Sequence, residues 1–290
     1  MEGKTKMNHY YDITNPDASY DWLYEVLHFE QGELITEYCL NCQNDFEVFF
    51  EKFLPVINEI DVENLEFVAF QVTSNNDNCK KIKQCGVRNL QWTLSNDTEL
   101  SSFLQQKGIR FDISKKLMVI DDVEYDIDYE KYRNLRFMDK KEDWLHKIGH
   151  KVYYDFQINA FLFCKDIYSY GTIHEAPEFL FTLSSFSGKT ADIDSQWKIK
   201  NSPYVIKFKA KLSDFAYFTF YDTEDEYYID QHNGWYGLRK NLISKAVDSA
   251  FNTNESEIFA YMKPDTVIKP ENILACIPAD KWNEDILKYF

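Results

Sequence analysis

The run Leu65-Glu66-Phe67-Val68-Ala69-Phe70-Gln71-Val72-Thr73 constrains the fold of this chain more than any other segment. It is rich in aromatic and β-branched residues, and apolar side chains fall on both of its alternating faces. That is the pattern of a strand buried on both sides. A strand of this kind needs covering layers, and the chain has the means to build them. Its 290 residues leave room for one large domain or two smaller ones with a substantial core. With 9 Gly and 7 Pro, long flexible linkers and low-complexity segments are excluded.

The expected class is α+β, with a helical N-terminal region over residues 1–62 and a second, strand-rich unit over 63–290. In the first region Asp17 or Ser19 is a candidate cap for a helix carrying Trp22, Leu23, Val26 and Leu27. A second helix carries Phe46, Phe49, Phe50 and Phe53, and Pro55 kinks or splits it. After the central strand, a short helix through Ile82 stops at Gly86, and another runs from about Thr98 to Gln106. Short strands follow at 109–111, 116–120 and 123–127, the last two forming a hairpin across Asp121-Asp122. A helix is expected near 142–148, and strands at 152–163, 179–183, 204–212, 215–221, 255–262 and 267–277. Trp235, Leu238, Leu242, Ala246 and Ala250 share one face of an amphipathic helix between them.

A formal charge of −16 repels phosphate backbones at long range, which disfavours a nucleic-acid coat protein. No run approaches a membrane span, and the first residues lack the apolar core of a secretory signal. Six cysteines do not make a disulfide scaffold, so reduced thiols in a cytoplasm are expected.

Three segments concentrate groups with chemistry in them. Gln71 and Thr73 share a strand face at the end of the first strong strand. Thr182-Leu183-Ser184-Ser185 loads a second strand end with hydroxyls, followed by Ala191 and Trp197. Glu255-Ser256-Glu257 opens a late strand with two carboxylates on one face. In this order the segments resemble the ADP-ribosyltransferase superfamily. Its first core strand carries a polar-x-Thr/Ser element, its helix ends like Ile82-Lys83-Gln84-Cys85-Gly86-Val87, and a Ser-Thr-Ser-like middle strand and a late Glu/Gln-x-Glu follow. The likeness covers roughly residues 63–278. Gln71 stands where the family usually has His or Arg.

The resemblance implies a split β-sandwich core and the transfer of ADP-ribose from NAD to a macromolecule, a protein side chain or a nucleic-acid base. Toxin-like and anti-phage effectors of this kind are known. Glu257 would stabilise the oxocarbenium-like ribose and bind its 2′-hydroxyl. Glu255 would orient or deprotonate the acceptor. Gln71, Thr73 and Thr182 would hold NAD, and Ser184 would support Glu257. Convergence of Gln71, Ser184 and Glu257 on one cleft is the structural requirement of this scheme.

Two other functions compete with it. One is a degenerate fold of the same family that binds a nucleotide without catalysis, favoured by Gln71. The other is an antitoxin or interaction protein whose acidity covers a basic partner. Glu257 also reads as an exposed edge-strand residue, and Ser184 and Ser185 as turn caps. Cys39 and Cys42 read as ordinary thiols in the absence of a second pair. His146 and His150 have helical metal spacing without the Glu of a His-Glu-x-x-His protease. His174-Glu175-Ala176-Pro177-Glu178 reads as a loop or as part of the cleft wall, and 222–230 as a solvated acidic loop.

Overall fold

The computed structural model describes residues 10–135, 138–186, 188–254 and 256–282. A short strand β1 (Tyr10–Tyr11) precedes α1 (Pro16–Val26), α2 (Glu33–Ile35), which runs on into a π-helical turn, and α3 (Phe46–Ile57). The central strand β2 (Glu66–Asn75) follows. Next come α4 (Lys80–Cys85), α5 (Leu90–Ser95), α6 (Glu99–Gln106), and a meander of β3 (Ile109–Asp112), β4 (Leu117–Ile120) and β5 (Val123–Asp126). Then follow α7 (Tyr129–Arg133), α8 (Lys140–Tyr153), β6 (Asn159–Phe163), α9 (Glu178–Ser184) and α10 (Ile193–Lys200). The chain ends with β7 (Ser202–Lys211), α11 (Glu224–His232), α12 (Tyr236–Ala250), β8 (Ile258–Tyr261) and β9 (Ile273–Pro278).

The class is α+β. The main sheet runs β8-β6-β2-β7-β9, with β1 added in parallel to the start of β2 and every other pairing antiparallel. The β2–β7 ladder is unbroken from Glu66↔Lys211 to Asn75↔Ser202. One face of the sheet, through Phe67, Ala69, Ile206, Phe208 and Ala260, packs on Trp22 and Leu23 of α1, Phe49 and Phe50 of α3, and Leu242 and Ala246 of α12. The helical N-terminal region therefore shares its core with the sheet. The other face carries Phe70, Val72, Phe161, Val205 and Phe259 against Ile167, Tyr170 and Trp282. Phe70, Phe161 and Phe259 are register partners across three strands, with ring centroids 5.6 and 5.5 Å apart. The two-sided burial expected of β2 has this origin.

Residues 90–200 enclose a separate apolar cluster around Phe103, Leu104, Ile109, Met118, Leu145, Leu180 and Trp197. It forms from α5, α6, the β3–β5 meander and α8–α10.

Several local expectations are corrected. The cap of α1 is Asn15, whose side chain accepts from Ala18 N at 3.0 Å, because Pro16 takes the first helical position. Pro55 sits in the last turn of α3, where little helix remains to break. Residues 140–153 are helical, so the strand expected from 152 begins only at Asn159. The segment 215–221 is an isolated bridge, Phe215↔Met262, followed by one short turn over Tyr217–Thr219 and not a strand, with Ala216 N bonded to Tyr261 O at 2.8 Å. The acidic stretch 222–230 is mostly α11, capped by Thr223, and Asp230 accepts from Gly237 N and Leu238 N at 2.7 and 2.8 Å. Its charge is spent at the N-terminus of α12.

Candidate functional site

A cleft of ≈ 240 Å³, more enclosed than the other surface concavities, lies where the carboxyl end of β2 and helix α4 meet α5, α6 and α10. Strand alternation presents Gln71 and Thr73 to it, since their neighbours Phe70 and Val72 are committed to the opposite face. Gly86 ends α4 at φ +78° and lets the chain turn toward the bridge Val87↔Ile268. A Cβ at this position would overlap the Ile268 carbonyl, so the cleft floor requires glycine there.

The walls are aromatic. Trp197 donates its indole N–H to Ser74 Oγ at 2.8 Å, which fixes the ring against β2. Trp92 carries the Arg88 guanidinium 5.0 Å from its ring centroid, and Arg88 Nε donates to Cys85 O at 2.9 Å. Among the described residues no carboxylate pairs with Arg88. Lys81 stands at the rim, paired with the exposed Asp97 at 2.7 Å. Asp77 caps α4 through Lys80 N and Lys81 N at 3.0 and 2.8 Å.

Glu99 is the carboxyl with the most altered acidity in this cleft. Burial pushes its pKa up to about 7, opposed by the Asn76 N–H that it accepts at 2.9 Å and reinforced by Asp77. A carboxyl in this range exchanges a proton near neutrality, as a general acid or base must. Gln157, from the loop before β6, completes the polar lining.

The residues expected to form one site are not brought together. Gln71 and Thr73 line the cleft. Thr182 and Ser184 lie on α9 and not on a strand. The run 179–183 is apolar but buries Phe179, Leu180 and Leu183, a helical spacing entered from Pro177, and a run this short has no decisive period. Ser184 Oγ bonds back to Phe181 O at 2.9 Å, and Thr182 faces a shallow surface depression beside His146, His150 and Lys151.

Glu257 lies across the sheet from the cleft. It precedes β8, where Ile258 packs with the helix-covered face and Phe259 with the opposite one. Burial pushes the Cys164 thiol up to about 11, and the Glu257 charge adds to that shift; Cys164 belongs to the Phe70–Phe161 face. Glu255 lies outside the described residues. The structure gives no support to a Glu257 carboxylate beside Gln71, because β6 stands between β8 and β2 and the Glu257 charge acts on Cys164 and Tyr170.

Of the 174–178 segment, Pro177 reaches the cleft, whereas Glu175 pairs with Lys198, and Glu178 with Lys151 at 2.8 Å. His146 and His150 flank the Tyr129 ring at 5.0 and 5.3 Å. Cys39 and Cys42 are free thiols. No motif marks Glu99, Arg88, Trp92 and Gln157, since only the packing of residues 88–200 against β2 makes them neighbours. Comparison with protein-family models, curated proteins and solved structures finds no match to this chain.

Proposed function

We propose that the chain binds NAD, or a nucleotide of the same chemistry, in the cleft at the end of β2, using an ADP-ribosyltransferase-like core for recognition and not for Glu257-dependent transfer. The observation that carries this reading is the separation of the motif residues: Gln71 and Thr73 line the cleft, while Glu257 lies behind the sheet. The lining suits such a ligand. Trp92 offers a flat aromatic face to a base with the buried Trp197 behind it, Gln71, Thr73 and Gln157 offer hydrogen bonds to ribose or amide, and Lys81 and Arg88 bring positive charge for phosphates. At ≈ 240 Å³ the cleft falls below the usual range for drug-sized ligands, so it takes one half of a dinucleotide and leaves the other at the rim.

Tryptophan fluorescence tests this directly, because two of the six tryptophans line the cleft. Titration with NAD, AMP and nicotinamide mononucleotide should change emission saturably for at least one, and Trp92→Phe should remove most of the change. A flat response to all three would sink the reading.

The elevated acidity of Glu99 favours a second reading, in which the protein transfers ADP-ribose to a macromolecular acceptor with Glu99 as the acid–base group. Labelled NAD with cell extract separates the two. Labelling lost in Glu99→Gln and kept in Glu257→Gln selects transfer at this cleft. Labelling that needs Glu257 would restore the late-strand scheme, and no labelling alongside nucleotide binding leaves recognition.

A further inference from the structure

We propose that Cys79 and Cys276 form an oxidant-sensitive thiol pair that closes reversibly to a disulfide beside the cleft. Both are free thiols. Cys276 lies on β9, an edge strand, opposite Ile206 of β7, which is itself opposite Gln71 of β2. Register partners share a face, so Cys276 faces the same side of the sheet as Gln71. Cys79, the residue before α4, is buried on that side, and Cys276 packs against the same cluster.

Two contacts hold Cys79 there. Its N–H donates to Asn75 Oδ1 at 2.9 Å, and Asn75 Nδ2 donates to its sulfur at 3.2 Å. One residue earlier, Asn78 accepts from the Tyr204 hydroxyl at 2.7 Å, which ties this turn to β7.

Each thiol shifts the acidity of the other, and they divide the labour of disulfide chemistry. Cys79 holds the Cys276 thiol down at about 7, assisted by the Lys83 charge and opposed by burial. Cys79 keeps its proton, since ionising it would place a second negative charge against Cys276 in a buried setting. A thiolate near neutrality, only partly buried on an edge strand, is the reactive partner, and the buried thiol is the resolving one.

A hydroperoxide supplies the oxidant. The Cys276 thiolate attacks one peroxide oxygen, the O–O bond breaks, and the departing hydroxide takes up a proton as water. The Cys79 sulfur then attacks the sulfenic acid, the S–O bond breaks, and its hydroxyl leaves with the Cys79 proton as a second water. The sulfurs lose two electrons in all, and hydrogen peroxide gains them. The product would tether the entrance of α4, whose Lys81, Ile82 and Cys85 line the cleft, to the edge of the sheet. The cross-link itself does not depend on what the cleft binds.

The test uses the full chain, hydrogen peroxide and non-reducing peptide mass spectrometry. A peptide pair joining residues 79 and 276 is expected, with the thiol titre in denaturant falling by two of the six and recovering with dithiothreitol. Cys276→Ser should abolish the link, and Cys39→Ser should leave it. Iodoacetamide labelling of Cys276 should reach half its maximal rate near pH 7. Because Cys79→Ala removes a buried side chain, Cys276→Ser and Cys276→Ala are the decisive variants. Absence of the 79–276 peptide, or an equal thiol loss in both Cys276 variants, overturns the proposal.

Discussion

At Glu99 two effects oppose each other. Burial beside β2 disfavours the carboxylate, while the Asn76 N–H stabilises it, and burial prevails. The folded pKa, about 7, lies above the ordinary carboxylate value, so the folded state binds the proton more tightly than the unfolded chain does. Stability is then greatest where both states are protonated and falls as pH rises through the interval up to about 7. Glu99→Gln keeps the acceptor for Asn76 and removes the ionisation. It should flatten that part of the stability–pH curve and raise stability at pH 8 by on the order of 1 kcal/mol, allowing for solvent screening. Urea denaturation of both proteins at pH 5 and pH 8 checks this, and equal slopes with pH would contradict it. Gly86 makes a different demand. Gly86→Ala combines a left-handed backbone with a clash against Ile268, and should cost more than about 1 kcal/mol in the same assay.

Among elements, legibility in the sequence followed how many independent signals each one carried. β2 was readable because burial on both faces leaves an uninterrupted apolar run, and α12 because Leu238, Leu242, Ala246 and Ala250 keep one spacing over the whole helix. The β4–β5 hairpin was readable from Asp121-Asp122, which adopt φ of 49° and 67°. α9 was misread because Phe179 to Leu183 is too short for its period to show. Thr182 and Ser184 leave the expected site for this reason, since they sit on a helix and not at a strand end. Gln71 and Thr73 were legible as neighbours through strand alternation alone. Their relation to Glu257 was not, because it depends on strand order and on the register shift in β6 between Phe161 and Phe163. Capping gives a check at this scale: Asn15→Ala should lower stability by about 1 kcal/mol, as loss of a helix N-cap does, and Asp17→Asn by much less.

Across the whole molecule, the cleft lies where two apolar clusters meet, one built on the six-stranded sheet and one within residues 90–200. Sites at such junctions draw residues from distant parts of the chain, which is why Gln71, Glu99 and Trp197 share one wall system. The second cluster should also open on its own. Leu180→Ala, a fully buried truncation worth about 2–5 kcal/mol, should speed hydrogen exchange in α6, α8 and α9 while β2 and β7 keep their protection. Uniform acceleration would show that the two clusters unfold as one. No helix among the described residues is long and apolar enough to cross a membrane.

The central claim is that Gln71 belongs to the ligand site and Glu257 does not. Calorimetric titration of NAD into wild type, Gln71→Ala and Glu257→Gln measures this most directly. The account predicts affinity weakened about tenfold by Gln71→Ala, roughly the 1.4 kcal/mol of one lost hydrogen bond, and unchanged by Glu257→Gln. Weakening by Glu257→Gln with Gln71→Ala unaffected would contradict it.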